Sequence, residues 1–138
     1  MPHSHSDPEV ESYLRKAERD LATATQMSEA GRDFADIVCF HAQQCAEKAL
    51  KGLILSFGTE PPRTHDLVVL LQALFRMDPE SPEIQQYCLE LTDYAVAPRY
   101  PGWENLVGDV DLPGALRSAS AILEYVKRRL GHIDRPPD

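Results

Sequence analysis

Asp33 to Phe57, DFADIVCFHAQQCAEKALKGLILSF, decides the fold. Read as a helix, the stretch carries one continuous apolar stripe: Phe34, Val38, Ala42, Cys45, Ala49 and Leu53, at steps of three and four. A second row, Ile37, His41, Gln44, Lys48, Lys51 and Leu55, is apolar only at its ends. Its middle presents an imidazole, an amide and two amines. A helix apolar over most of its circumference sits at the centre of a small bundle and touches most of its neighbours. The polar row fits a solvated face, a subunit contact or the floor of an anionic site.

The remainder of the chain limits what surrounds that helix. A chain of 138 residues makes one domain able to bury a core without disulfides. Apolar content of 43% is ordinary for a globular protein. No apolar run reaches the ~18 residues of a membrane span, and MPHSHSDPEV lacks the apolar region of a secretory signal. Cys39, Cys45 and Cys88 fit neither a metal knuckle nor a disulfide framework, and they read as small apolar residues in a reducing cytoplasm. A formal charge of −8 argues against coating nucleic acid by charge alone, while leaving room for a local basic site.

Outward from the central stretch, the order of elements is legible. Ser6-Asp7-Pro8-Glu9 starts a first helix with a cap, a proline and an acid near the positive end of the dipole. Val10, Leu14, Ala17, Leu21 and Ala24 form its seam, Gly31 ends it, and Asp33 starts the next. So short a link predicts an antiparallel pair. Phe57-Gly58 stops the central helix, and the paired prolines of Thr59–Arg63 hold a loop. Thr64-His65-Asp66-Leu67 opens a third helix, with Thr64 as its cap and Leu67, Leu70, Leu71 and Leu74 facing inward. Ser81-Pro82-Glu83 starts a fourth, carrying Ile84, Tyr87, Cys88, Leu91, Tyr94 and Ala95. After Pro98-Arg99-Tyr100-Pro101-Gly102-Trp103, Asp109 to Pro113 starts a last helix with Leu116, Ala119, Leu123, Val126 and Leu130 in its stripe. No period-two run or hairpin signal is present. The predicted class is all-α, an up-and-down bundle of about five helices around a four-helix core. It spans residues 8–131, between a flexible start (1–7) and a frayed tail (132–138).

Chemistry-bearing patterns are few. The five histidines lack metal-ligand spacing, and the seven glycines form no phosphate loop. Neither a metal nor a cofactor is expected. Cys45 lies one turn from His41, but on the most apolar stripe, where burial raises rather than lowers a thiol pKa. Tyr94, Arg99, Tyr100 and Trp103 combine a guanidinium fork with stacking rings suited to a phosphate and a base. The plainer account packs Tyr100 to Trp103 over the bundle end, with Arg99 paired to Glu104. Lys48 and Lys51 read as surface amines, the latter paired with Glu47 one turn back. His65 reads as a first-turn residue, where the helix dipole disfavours its charged form.

The segment FHAQQCAEKALKGLILSFGTEPPRTHDL, with TDYAVAPRYPG further on, resembles the HEPN domain family. The matching positions are Phe40 to Lys51, Pro62 to Leu67, and Tyr94 with Arg99 to Pro101. Cys45 stands where the family usually has alanine. The resemblance implies a helical bundle, homodimerisation and frequent pairing with a minimal nucleotidyltransferase in a two-component, toxin–antitoxin-like system. It also implies nucleotide binding, or RNA as a partner. Many members are ribonucleases using an arginine followed four to six residues later by a histidine. That motif is absent here: after Arg99 the next histidine is His132, Arg63 lies two before His65, and Arg32 nine before His41.

The expected function is therefore a non-catalytic, cytoplasmic HEPN protein that binds a nucleotide or a nucleotidyltransferase partner without membrane attachment. Arg99, Tyr100, Tyr94, His65, Lys48 and Lys51 are its candidate ligand-binding residues. The alternatives are a metal-independent ribonuclease toxin with a non-standard site, Arg99 and His65 first among suspects, and an assembly subunit without a ligand.

Overall fold

The computed structural model describes residues 7–92 and 111–134. Five α-helices occur among them: α1 (Pro8–Glu29), α2 (Ala35–Ser56), α3 (Leu67–Phe75), α4 (Gln85–Leu91) and α5 (Leu112–Asp134). No strand is present in the described residues, and the class is all-α as expected.

Helix α1 begins where a proline and a cap coincide. Asp7 accepts the Glu9 N–H at 2.9 Å, and Pro8 occupies a position whose N–H would have no partner. Its seam buries Val10, Ala17 and Ala24, with Leu14 and Leu21 partly covered. Gly31 takes a φ of 120°, which a side-chain-bearing residue rarely adopts, and turns the chain back. Three register points establish the antiparallel pair: Gly52 lies against Tyr13, His41 and Lys48 against Asp20, and Ala24 packs with Val38 and Cys39.

Helix α2 is the centre of the bundle, touching α1, α3, α4 and α5. Val38, Ala42, Cys45, Ala49 and Leu53 are fully buried, as their spacing required. The expected start at Asp33 is displaced to Ala35, because Arg32–Phe34 form a 3₁₀ turn with Phe34 N–H on the Gly31 carbonyl. At three residues per turn Phe34 falls out of phase with the α-helical stripe, and it is exposed. Gly58, at φ 84°, lets the chain leave α2.

The later elements differ from expectation mainly at their ends. Asp66, not Thr64, caps α3: its carboxylate accepts Val68 N–H at 2.9 Å, while Thr64 Oγ1 accepts Asp66 N–H. His65 thus precedes the helix and lies outside its first turn. Ser81–Ile84 form a 3₁₀ turn before α4, so Ile84, Cys88 and Leu91 face the core while Tyr87 is exposed. Asp111 accepts Gly114 N–H at the start of α5, which runs past Gly131 to Asp134. No described helix is long and apolar enough to cross a membrane.

Candidate functional site

The polar row of α2 is organised by two buried carboxylates, neither of them exposed enough to act as a surface charge. Asp20, on α1, accepts His41 Nδ1 at 2.8 Å on one oxygen and Lys48 Nζ at 2.6 Å on the other. Thr23, Lys16 and Arg19 of α1 join these three around a groove of about 250 Å³. Lys16 and Arg19 are exposed, and no described acid pairs with either. The groove holds three fixed positive charges against one carboxylate, on a molecule whose formal charge is −8. His41 adds a further charge when protonated.

Glu47 is the second centre. Its side chain is only 5% exposed and takes Lys51 Nζ at 2.9 Å, His65 Nδ1 at 3.1 Å, and the amides of Gln43 and Gln44 at 3.4 and 3.2 Å. Gln43 Nε2 also donates to the His65 carbonyl at 2.8 Å, which stitches the loop after α2 back onto the helix. Four donors on one carboxylate satisfy a charge that burial alone would make costly. His65 itself is 63% exposed, so the imidazole is oriented from beneath and open to solvent above.

Lys51 and His65 therefore meet on Glu47, while Lys48 belongs to the separate Asp20 group. The two lysines are partly buried ion-pair members, a correction to their reading as surface amines. Tyr94, Arg99 and Tyr100, with Trp103 and Glu104, lie outside the described residues. Burial first, then the nearby Asp20 charge, pushes the Cys45 thiol up to about 12, the direction its place on the apolar stripe predicts. Among the described residues no cluster of histidine, cysteine and carboxylate side chains could hold a metal.

Spacing singled out neither Asp20 nor Lys16 and Arg19. One sign was available: Asp20 follows the buried Ala17 by three and precedes Ala24 by four, so an acid flanks the apolar seam of α1. Charge at such a place calls for a buried partner. A third buried acid, Asp78, accepts the Tyr125 hydroxyl and Arg129 Nε, the latter at 3.1 Å, and ties the end of α3 to α5. Its partners leave no open coordination, and its role is structural.

No match is found among curated proteins. The chain is similar to a solved archaeal HEPN homologue, 29% identical, covering 88% of this chain and 98% of that one at a TM-score of 0.68. The HEPN domain model matches residues 10–129, a span that takes in most of α1, both carboxylate centres and most of α5. On that match the chain belongs to the HEPN domain family.

Proposed function

We propose that this HEPN chain is a non-catalytic binding module for a nucleotide, held by its phosphates in the α1–α2 groove, and the partner of a nucleotidyltransferase in a two-component, toxin–antitoxin-like system. The observation that carries the reading is the excess of positive charge in that groove, on an otherwise acidic molecule. Arg19 supplies a planar donor fork and Lys16 and Lys48 point charges, a combination suited to phosphate oxygens. Three buried, unpaired thiols fit a reducing cytoplasm. A homodimer is part of the proposal, because Val69, Phe75, Tyr87 and Leu89 remain exposed on α3 and α4.

Calorimetric titration with ATP at neutral pH tests the groove. Arg19→Ala and Lys48→Ala should each weaken binding by about tenfold to a hundredfold, the loss expected of a charged hydrogen bond. ATP binding that is absent, or indifferent to both substitutions, overturns the nucleotide assignment. Sedimentation at micromolar concentration should give a mass above the 15.5 kDa of one chain. Co-purification of the tagged chain with a co-expressed minimal nucleotidyltransferase tests the pairing.

A ribonuclease reading has one observation in its favour. A buried carboxylate holding Nδ1 of an exposed imidazole is the arrangement by which a general base is oriented. Cleavage of labelled RNA that disappears in His65→Ala would replace the non-catalytic reading.

A further inference from the structure

We infer that Tyr13 is the base platform of the α1–α2 groove: the phosphates of a nucleoside triphosphate lie among Lys16, Arg19 and Lys48, and its base stacks on the Tyr13 ring beyond them. The inference deepens the nucleotide-binding reading and rests on it.

The groove cannot hold a nucleotide whole. Its volume of about 250 Å³ falls below the ~300–1,000 Å³ of sites that enclose a small ligand. Lys16, Arg19, Asp20, Thr23 and Lys48 line it with charge and a hydroxyl. The sixth lining residue, His41, has its ring tied to Asp20 and packed perpendicular to that of Phe40. Phosphates suit such a lining and a base does not, so the base belongs beyond one end.

Two facing rows show which end. On α1, Tyr13, Lys16, Asp20 and Thr23 recur at steps of three and four, one line along the helix. On α2, His41, Lys48 and Gly52 form a second line. Antiparallel pairing sets Asp20 against His41 and Lys48, and Tyr13 against Gly52. The groove line therefore runs on past Lys48 to Tyr13, a half-buried ring. Gly52 leaves that ring its place, since a Cβ there would stand 3.1 Å from Tyr13 Cβ and 3.9 Å from Cγ. From Asp20 back to Tyr13, α1 rises about 10 Å, the span of a ribose with its phosphates. The ring is rooted where two helix backbones meet, so little freedom remains to be lost when a base stacks on it. Phe40, at the other end, lies about 100° around α2 from the groove line.

Calorimetric titrations with ATP and with inorganic tripolyphosphate separate the base from the phosphates. Tyr13→Leu should weaken ATP binding about tenfold, the loss expected of one stacked base, and leave tripolyphosphate binding unchanged. Tyr13→Phe keeps the ring and should keep the affinity for ATP. Phe40→Leu should alter neither ligand, whereas Arg19→Ala should weaken both. The adenine proton resonances of ATP should move upfield on binding to the wild type and to Tyr13→Phe, and should not do so with Tyr13→Leu. Far-UV circular dichroism establishes that each variant is folded. Equal losses for the two ligands in folded Tyr13→Leu would show that the ring acts by spacing the helices and overturn the inference. ATP binding indifferent to Tyr13→Leu, or lost with Phe40→Leu instead, also overturns it. The groove reading survives each of these results as long as ATP binding depends on Arg19 and Lys48, and the absence of ATP binding removes both.

Discussion

Glu47 shows how one residue holds a loop to a helix. Its carboxylate is buried beneath Gln43, Gln44, Lys51 and His65, and Lys51 is itself only 15% exposed. Removing the acid would leave a mostly buried ammonium without its counter-ion, a loss of about 3 kcal/mol. Glu47→Ala should therefore lower Tm by on the order of 10 °C. His65→Ala, at the exposed edge, should cost about 1 kcal/mol or less. Scanning calorimetry of the two variants checks the ordering, and equal losses would contradict it. The Glu47–Lys51 pair was legible in the sequence because it lies one helical turn apart. Its burial was not, since His65 arrives from a loop whose path depends on Gly58 and the paired prolines. Asp20 with His41 and Lys48 was hidden for the same reason: helical periodicity relates residues on one helix and says nothing about which acid on the next comes alongside.

At the level of elements, periodicity identified the buried faces better than the ends. The leucines of α3 and the small residues of α2 lie inside as their spacing demanded. The ends moved wherever a 3₁₀ turn intervened, at Arg32–Phe34 and Ser81–Ile84, because such turns share the proline, acid and serine signals of a helix start. The α1–α2 contact rests on Gly52. A Cβ built on Gly52 would lie 3.1 Å from Tyr13 Cβ, which is anchored to the α1 backbone and cannot swing away. Gly52→Val should force the helices apart and cost about 1–3 kcal/mol despite glycine's poor helix propensity. A urea midpoint equal to wild type would refute this close approach. Separating α1 from α2 should also weaken ATP binding, because the groove draws residues from both.

On the scale of the whole molecule, burial gives the fold an alkaline limit. Burial raises the thiols of Cys39, Cys45 and Cys88 from 9.0 to about 12. It also raises the Tyr125 hydroxyl, helped by its hydrogen bond to Asp78. These groups keep their protons in the folded chain when the unfolded chain has lost them. Their contribution to stability is complete below about pH 9 and is lost as pH rises toward 12. Urea midpoints should hold from neutral pH to about 8.5 and then fall, less steeply in Cys88→Ala. A midpoint unchanged near pH 10.5 would show that the thiols are not buried as described. The Asp78 contact has a different consequence, in the order of synthesis. Asp78 follows α3, but Tyr125 and Arg129 belong to α5, the last described element to leave the ribosome. The antiparallel pair of α1 and α2 can form while the chain is still being made. The second half must wait, with a solvated Asp78 carboxylate and the faces of α2 and α4 that α5 covers still open, until α5 arrives to close both at once.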